Sequence, residues 1–537
     1  MTGGATSGGS PSIGGSGPNL SGGAPSGVGG LSASGGATNA GGQVGSGGHV
    51  AGGGLPGVGG QAAAGGSGPS TGGTELNGGA GGSTGQGTCT ADIGSGSPCE
   101  PAVDTEACNL GDRACTCGAD SSLWTCTPAA AGGAGGTAGV GGGAGSGGSE
   151  TGGQAGGGDS DMEWLPSWAT TIQRTEDRNM PPALNDKTLR QFVWPSYSGD
   201  EIRIQLSNEK GRSAVEINKV HIAKAQPLGQ GSIDASTDAG FTFQGSASVT
   251  IPAGETVWSD ALSFPLEVAQ PTAVSIQFGS SVPSEVTGHP GARTTSYIAN
   301  GDAVSQANIS GETRDRWYFI NAIEVMAPAD AFAIAALGDS ITDGYGVINQ
   351  FARWPDFLTL AIQEDAELAG KVSVLNFGMG ANSLLTPNSD GCNGDVCMDA
   401  GVDRVDRDIL TRPKVKWVIV LIGVNDIIYG SPTKDQIIGG YREIVQKAHS
   451  ADIVVYGSPV TPFCGNAPSK NSTREAVNQE VLAGGVFDGI IDFSTVLADP
   501  GSSSCPAIAS QYDNDGLHPN TAGYEAMGRS VDLSLFE

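Results

Sequence analysis

From residue 329 onward, short apolar runs alternate with longer segments whose apolar residues recur at helical spacing. Turn-forming residues bound the apolar runs, as expected of buried strands. This alternation predicts an α/β region in which helices cover a parallel sheet. Residues that carry chemistry should then lie on the loops that follow strands. The predicted strands cover 331–337, 371–376, 415–422, 452–457 and 489–493, and the predicted helices cover 354–368, 402–410, 434–449, 472–482 and a segment from about 521.

A different pattern, in which apolar and polar residues alternate, runs through residues 162–328. Turn signals such as Ser198-Gly199-Asp200 and Pro252-Ala253-Gly254 separate the runs, and no long helical periodicity is found. We therefore expect an accessory all-β domain, an antiparallel sandwich. His221 and His289 are interpreted as structural. Five tryptophans could hold a polysaccharide, but core or interface positions are the favoured interpretation. They are Trp164, Trp168, Trp194, Trp258 and Trp317.

The first 161 residues have too few apolar side chains for a large core. Residues 1–86 and 129–161 are rich in glycine and are predicted to be flexible or disordered linkers. Between them, residues 87–128 form a cysteine-rich module too short to bury a core without cross-links. Three disulfides of open pairing are favoured, and zinc is the alternative, although paired Cys-x-x-Cys spacing and histidine are missing. The six cysteines are Cys89, Cys99, Cys108, Cys115, Cys117 and Cys126.

Charge and composition narrow the range of partners. The net charge of −29 over 537 residues argues against nucleic acid or an anionic membrane as a partner. No apolar run is long enough to predict a transmembrane helix. The first residues lack the features of a secretory leader, whereas ten cysteines suit an oxidising compartment. We expect a protein that is secreted or held at the cell surface and whose leader is missing from this sequence. A lipoprotein anchored upstream is the alternative.

Candidate chemistry lies on the loops of the α/β region. The first apolar run ends at Gly338-Asp339-Ser340, where a serine would sit at the carboxyl end of a strand, although the tripeptide alone is equally typical of a polar turn. Residues 376–382 form a glycine-rich loop whose N–H groups could face a developing negative charge, and Asn425 could donate to the same point. Asp515 precedes His518 by three residues, so its carboxylate can orient an imidazole that takes a proton from the serine.

Taken in order, these segments resemble the four blocks of the SGNH hydrolases, also called the GDSL family of esterases and lipases. The blocks are Gly338-Asp339-Ser340, the loop near Gly380, Gly423-Val424-Asn425-Asp426 and Asp515-x-x-His518. The resemblance covers residues 329–537 and looks closest to secreted bacterial members with a preceding β domain. It implies a parallel, flavodoxin-like sheet in which Ser340 is the nucleophile, His518 the base and Asp515 its orienting acid.

The same resemblance implies an oxyanion hole with three donors, namely the Ser340 N–H, an N–H of the second block and the Asn425 amide. In one respect this chain departs from the family. Where relatives usually read Gly-Ile-Gly-Gly-Asn, it reads Gly378-Met379-Gly380-Ala381-Asn382, so the position of the hole-forming glycine falls on Ala381. Alanine keeps the N–H donor but disfavours positive φ. The hole is therefore either displaced or supplied by Gly380, and activity is expected to survive.

Other polar residues of this region have simpler interpretations. The run Asp513-Asn514-Asp515-Gly516 could begin a calcium loop, but the further acidic ligands of that pattern are missing. Asp339, Asp343 and Asp426 could suggest paired-carboxylate chemistry, but each is interpreted as a turn or supporting residue. His449 ends a predicted helix, where the helix dipole accounts for it.

The four cysteines of the α/β region are expected to form two disulfides that brace loops around the site. The expected pairs are Cys392 with Cys397 and Cys464 with Cys505. The first pair would close a tight loop after the glycine-rich segment.

These observations predict a secreted serine carboxylester hydrolase that works through an acyl-enzyme without a metal or organic cofactor. The expected substrate is a short acyl group, in particular acetyl, on a polysaccharide. A lipase or arylesterase acting on lipid or aryl esters is the alternative. From a different class, the chain could be a surface-binding protein whose hydrolase domain has lost activity, although Ser340, Asp515 and His518 argue against this interpretation.

Overall fold

A computed structural model of the chain describes three short strands between residues 108 and 128, and residues 162–537 except Ser503. The chain divides into two compact units, residues 1–148 and 149–537. In the first unit, β1 (Cys108–Asn109), β2 (Arg113–Cys117) and β3 (Trp124–Pro128) form an antiparallel sheet. The predicted disulfides of the cysteine-rich module and the predicted glycine-rich linkers lie outside the described residues.

The second unit begins with an antiparallel β-rich region, as the alternating pattern predicts. Its largest sheet has the order β10-β8-β13-β6-β15-β16, with β9 paired to β8. A second sheet has the order β11-β7-β18-β4, with β12 paired to β7, and a third has the order β17-β14-β5. The expected sandwich arrangement of these sheets stays a prediction. The strands are β4 (Met162–Ala169), β5 (Gln173–Arg174), β6 (Lys187–Val193), β7 (Gly199–Ser207), β8 (Val215–Lys224), β9 (Ala239–Gly240), β10 (Val249–Ile251), β11 (Thr256–Trp258), β12 (Leu262–Leu266), β13 (Thr272–Phe278), β14 (Thr287–His289), β15 (Ser296–Asn300), β16 (Glu312–Arg314), β17 (Trp317–Tyr318) and β18 (Ile320–Pro328).

Strand β8 shows how the structure accommodates a break in the alternation of apolar and polar residues. Val215 and Ile217 are buried on one face, whereas Val220 and Ile222 continue the buried row one residue out of step. The pairing of β8 with β13 shifts in register at the same place, next to Ile217. A β-bulge therefore absorbs the extra residue and keeps both pairs of apolar side chains in the core.

A five-stranded parallel sheet follows, which confirms the predicted α/β region. Its strands are β19 (Phe332–Gly338), β20 (Val372–Gly378), β21 (Val415–Leu421), β22 (Val454–Gly457) and β23 (Gly489–Ile490). Their order is β20-β19-β21-β22-β23, the flavodoxin-like order, in which ligands bind beyond the carboxyl ends of the first and third strands. The strand β19 is almost wholly buried, because a parallel sheet is covered on both faces.

The helices predicted for 434–449 and 472–482 agree with the structure, whereas the helix predicted for 354–368 ends at Glu364. The sequence analysis did not predict three short helices, α1 (Ser340–Asp343), α4 (Val424–Tyr429) and α7 (Phe493–Leu497). The strand predicted over 489–493 ends at Ile490. The segment predicted as a helix over 402–410 is a short α-helix that continues as a π-helical turn, Asp406–Leu410. The α-helices are α1 (Ser340–Asp343), α2 (Trp354–Glu364), α3 (Gly401–Val405), α4 (Val424–Tyr429), α5 (Lys434–His449), α6 (Asn471–Leu482), α7 (Phe493–Leu497) and α8 (Thr521–Arg529). Among the described residues, no helix is long and apolar enough to cross a membrane.

One continuous hydrophobic core extends through the antiparallel region and the parallel-sheet region. Buried polar contacts also join them. The Val374 N–H of β20 donates to Ser196 Oγ at 3.0 Å. The Arg412 guanidinium, buried between the two regions, donates to Gln205 Oε1 and to Asn321 Oδ1, both at 2.7 Å. The parallel sheet therefore depends on the antiparallel region for part of its core and for the partners of its buried polar groups.

A chain that begins at Ala329 is expected not to fold cooperatively. It would lose the shared core, and the apolar side chains that now pack against the antiparallel region would be exposed to water. Such exposure costs about 25 cal/mol per Å² of apolar surface, against a total stability of roughly 5–15 kcal/mol. Thermal unfolding followed by circular dichroism checks this, with residues 162–537 as the control that should unfold in one transition. A sharp, reversible transition in the 329–537 fragment would contradict the prediction.

Candidate active site

Ser340 is the first residue of α1, directly after β19. The Asp339 carboxylate accepts a hydrogen bond from the Ile341 N–H at 3.0 Å and so caps the helix. Gly338 lets the chain turn tightly, because a Cβ atom there would lie 2.0 Å from Thr342 Oγ1. The serine is 6% exposed and sits at the carboxyl edge of the sheet. This is the crevice where ligands of such sheets bind.

The structure brings Ser340, His518 and Asp515 together in one line. Ser340 Oγ lies 2.8 Å from His518 Nε2, although the two residues are 178 positions apart. On the far side of the ring, His518 Nδ1 lies 2.9 Å from Asp515 Oδ2. Because an ionised carboxylate can only accept, Nδ1 carries the proton and Nε2 is left to accept from the serine hydroxyl. The carboxylate also accepts from the His518 N–H at 2.8 Å, which holds the two residues in register.

The electrostatics of this line favour a neutral imidazole beside an ionised carboxylate. Burial lowers the pKa of His518 below its usual value, Asp515 acts in the opposite direction, and Arg293 lowers it further. Burial tends to raise the pKa of Asp515, but hydrogen bonds from the backbone and ring of His518 keep it below its usual range. A neutral imidazole with a free Nε2 lone pair is the form that can take a proton.

Candidate oxyanion donors line the same cleft. Asn425 lies in α4, after β21, and its amide donates one hydrogen bond to the Asn382 carbonyl at 2.8 Å. This bond uses one of its two N–H groups and fixes the plane of the amide. The Gly380 and Ala381 N–H groups donate to no acceptor within the described part of the chain. All three residues lie beside Ser340, whose own N–H is in the first turn of α1.

Ala381 adopts the left-handed conformation, with φ of 62°. This conformation costs a residue with a side chain about 1–2 kcal/mol. The following residue is firmly held, since Asn382 Oδ1 accepts from Arg404 Nε at 2.8 Å and its Nδ2 donates to the Asp399 carbonyl at 2.9 Å. The loop therefore keeps positive φ at the position where the sequence departs from the family.

The cleft around Ser340 has a volume of about 510 Å³, and the antiparallel region forms part of its wall. Sequence reasoning missed the residues of this wall and the tyrosine beside it, because no local motif marks them. The Tyr345 ring packs against the His518 imidazole with centroids 4.2 Å apart, and the Arg293 guanidinium lies 5.4 Å from the same tyrosine ring. The wall residues from the antiparallel region are Glu176, Arg178, Asn179, Pro290, Arg293 and Arg316.

The other acidic candidates each have a supporting contact. Burial raises the pKa of Asp339 to about 7, and its carboxyl group caps α1 by accepting from the Ile341 N–H. Asp343 accepts from Arg293 of the antiparallel region, and its carboxylate lies 3.1 Å from His289 Nε2. The Asp426 carboxylate accepts from two backbone N–H groups of the loop at 384–385.

Other histidines and acids singled out in the sequence contact polar groups away from the Ser340–His518 pair. His221 and His449 face the carboxylates of Asp238 and Asp488, each at 2.9 Å. In the run that could begin a calcium loop, Asp513 accepts from the Gly516 N–H at 2.7 Å, and the Asp515 carboxylate faces the imidazole.

Both expected disulfides of this region are present, Cys392–Cys397 and Cys464–Cys505. The second ties the loop after β22 to the segment that precedes Asp515. Asn466, two residues after Cys464, lines the cleft. The bond therefore braces one side of the cleft.

A serine, a histidine and an aspartate aligned at the crevice of a parallel sheet are the arrangement of a serine hydrolase. Residues 336–526 match the family model of the GDSL-like lipase/acylhydrolase family. This part of the chain is therefore a GDSL, or SGNH, hydrolase domain, and its enzyme class is that of the carboxylic ester hydrolases. The family resemblance expected from the four sequence blocks is confirmed for these residues.

Solved structures similar to this chain include a member of the lipolytic protein G-D-S-L family from Veillonella parvula, at 19% identity over 38% of this chain and 98% of that one, with a TM-score of 0.30. A native aryl esterase from M. smegmatis shares 18% identity over 37% and 95%, with a TM-score of 0.28. A carbohydrate acetylesterase from Sinorhizobium meliloti shares 13% over 37% and 95%, with a TM-score of 0.29. The comparison with curated proteins found no match. The family assignment depends on the family model.

Replacing Asp515 with Asn is expected to reduce turnover by about 10⁴-fold, because the imidazole loses its orienting acceptor. The remaining activity should have an acid limb at lower pH than that of the wild type, since Asp515 raises the pKa of His518. The pH dependence of kcat/KM with p-nitrophenyl acetate checks both effects. Asp513→Asn is the matched control, because Asp513 contacts the Gly516 N–H and not the ring. An acid limb that moves to higher pH would contradict this account.

Proposed function

We propose that Ser340 is the nucleophile of this hydrolase, His518 its general base and acid, and Asp515 the residue that orients the imidazole. The observation that carries the proposal is the 2.8 Å contact between Ser340 Oγ and His518 Nε2, with Asp515 behind the ring. His518 takes the hydroxyl proton as Oγ attacks the ester carbonyl, and then gives that proton to the departing alcohol. Water, activated by the same imidazole, releases the acid from the acyl-enzyme.

The oxyanion formed in each step is assigned to the Ser340 N–H, the Asn425 amide and an N–H from Gly380 or Ala381. Dipoles fixed in advance at this point stabilise the charge as it develops and cost no reorganisation during the reaction. Side chains and backbone groups thus supply base, acid and oxyanion donors, and no cofactor or metal forms part of the proposal.

The proposed substrate is a short acyl ester, in particular acetyl, on a polysaccharide. Charged and amide side chains such as Arg178, Arg316 and Asn466 line much of the open cleft, whereas its aliphatic lining is limited to Pro290, Ala381 and Leu517. A long lipid chain needs a larger apolar surface than this to offset its transfer from water. An aryl ester is the second candidate, since the rings of Tyr345 and Tyr429 also line the cleft.

We further propose that the protein is exported and acts outside the cell or tethered at its surface. Two disulfides in the hydrolase domain support this, because such bonds persist in oxidising compartments. The glycine-rich composition of residues 1–86 suits a tether. In this proposal, the antiparallel region 162–328 is an accessory β-sandwich that also shapes the wall of the cleft.

Acetate release from acetylated xylan is expected to be the main activity, and rates on p-nitrophenyl esters should fall as the acyl chain lengthens. Ser340→Ala should lose about 10⁴–10⁶-fold in kcat, because the attacking oxygen is removed. A fluorophosphonate probe should label the wild type and leave Ser340→Ala unlabelled. Absence of label on the wild type would favour a binding protein without catalysis, and rates that increase with acyl length would favour a lipase.

Replacing Asn425 with Ala is expected to reduce kcat by about 10²–10³-fold, with a smaller effect on KM, because the lost donor acts mainly on the transition state. Steady-state kinetics with p-nitrophenyl acetate checks this. Since Asn425 also holds the Asn382 carbonyl, thermal unfolding of the variant must show a folded protein. An unchanged kcat in a folded variant would refute its role as an oxyanion donor.

A further inference from the structure

A second open cavity lies next to the catalytic cleft, and the two share Asn425 and Tyr429 as lining residues. Its volume is about 700 Å³, larger than that of the catalytic cleft and within the range of about 300–1,000 Å³ that is usual for ligand pockets. The steps proposed for ester cleavage use no residue found only in this cavity. Its position makes it a continuation of the groove beyond the reacting ester.

Helix α4 lies between the two cavities and contributes lining residues to both. Asn425 and Tyr429 are four residues apart on this helix and therefore lie on the same face, about 6 Å apart along its axis. The first residue is the proposed oxyanion donor, and the second stands at the boundary with the second cavity. The tyrosine is thus one helical turn from the reacting centre, a distance on the scale of one sugar ring.

Tyr429 is unusually exposed for a large side chain. Its exposed fraction is 76%. Among the large hydrophobic residues that are exposed in the described part of the chain, the other aromatic residue is Tyr345, at 43%. Both rings line the catalytic cleft. An aromatic ring combines a broad apolar face with low conformational entropy, so it can pack against the apolar face of a ring-shaped ligand at little cost.

The remaining lining of the second cavity is suited to a hydroxyl-rich ligand. The Ser383 and Thr386 hydroxyls make no hydrogen bond within the described residues, and Gln436 uses its carbonyl oxygen in the cap of α5, which leaves its amide N–H groups available. Glu443 adds a carboxylate, one oxygen of which lies 3.5 Å from Lys447 Nζ. A few polar groups around an aromatic surface are the usual composition of a site that orients a small polar ligand.

We propose that this second cavity is a saccharide subsite, in which Tyr429 stacks on the sugar next to the esterified one and the cavity holds the glycan chain beyond it. The proposal rests on the proposed function, since it takes the ester to be carried by a glycan. It assigns the cavity a ligand class, a neutral oligosaccharide, and assigns Tyr429 a role in selecting chain length. Binding energy from these remote sugars would favour polymeric over monomeric esters.

The test compares kcat/KM for acetate release from acetylated xylose, xylobiose, xylotriose and xylotetraose. For the wild type, the tetramer-to-monomer ratio of kcat/KM is expected to be about 10-fold or more, which corresponds to about 1.4 kcal/mol of remote binding. Tyr429→Ala should bring the ratio close to one, whereas Tyr429→Phe, which keeps the ring, should preserve it. Because the ratio compares two substrates on the same variant, any effect of the substitution on the chemical step cancels.

A second variant tests the cavity without touching the catalytic cleft. Thr386 is exposed and lines the second cavity but not the catalytic cleft. Thr386→Trp should therefore fill the second cavity and lower the tetramer-to-monomer ratio of kcat/KM. Val396→Trp adds the same bulk at an exposed residue that lines neither cavity and should leave the ratio unchanged. Ser340→Ala is the blank.

The outcomes separate this inference from the proposed function. Ser340-dependent acetate release with no dependence on chain length would overturn the subsite and leave the glycan esterase standing. A length dependence that survives in both Tyr429→Ala and Thr386→Trp would also overturn it. If no acetylated sugar is cleaved while p-nitrophenyl acetate is, the glycan substrate itself is wrong, and the subsite proposal is overturned with it.

Discussion

The geometry of the site depends on an ion pair between Asp343, which is buried, and Arg293, whose side chain is 16% exposed. Asp343 ends the helix that begins with Ser340, and its carboxylate also lies 3.1 Å from His289 Nε2. The Nδ1 atom of the same ring lies 2.9 Å from the Thr171 carbonyl oxygen. The approach is so close that a Cβ atom at Gly291 would lie 1.9 Å from the carboxylate. Breaking a fully buried pair typically costs about 3–5 kcal/mol, which is an upper bound here because Arg293 is partly exposed and His289 also faces Asp343. The orientation of the serine is therefore set jointly by two regions of the chain.

The same contact links the antiparallel region to the chemistry of the imidazole. Arg293 lies over the Tyr345 ring, which packs on His518, and the positive charge of Arg293 helps to lower the pKa of that histidine. Asp515 has the opposite effect from the other side of the ring. Burial remains the main cause that lowers the pKa of His518, so the charge of Arg293 adds to an effect that Asp515 opposes.

How far sequence could anticipate this structure depends on the length of the pattern behind each element. The 16-residue helix α5 was predicted with its limits, because several helical turns repeat the same apolar spacing. Helices α1 and α4 were missed, since four to six residues contain little more than one turn. Ser340, His518 and Asp515 could be proposed as nucleophile, base and orienting acid because each lies in a short local motif. The contacts of Arg293 and His289 could not, because they come from packing between segments about 50 residues apart that share no pattern.

Ala381 shows how a local rule can yield to its surroundings. Taken alone, an alanine at the position of the family glycine disfavours the left-handed backbone, yet the chain adopts it there. The neighbouring Asn382 explains this, since its side chain is held by Arg404 and by the Asp399 carbonyl, and its own carbonyl accepts from Asn425. Three hydrogen bonds, each worth about 0.5–1.5 kcal/mol, are enough to offset a conformational cost of about 1–2 kcal/mol. Since Asn425 of α4 is one of the groups that hold the loop, the candidate oxyanion donors on the helix and on the loop are positioned together.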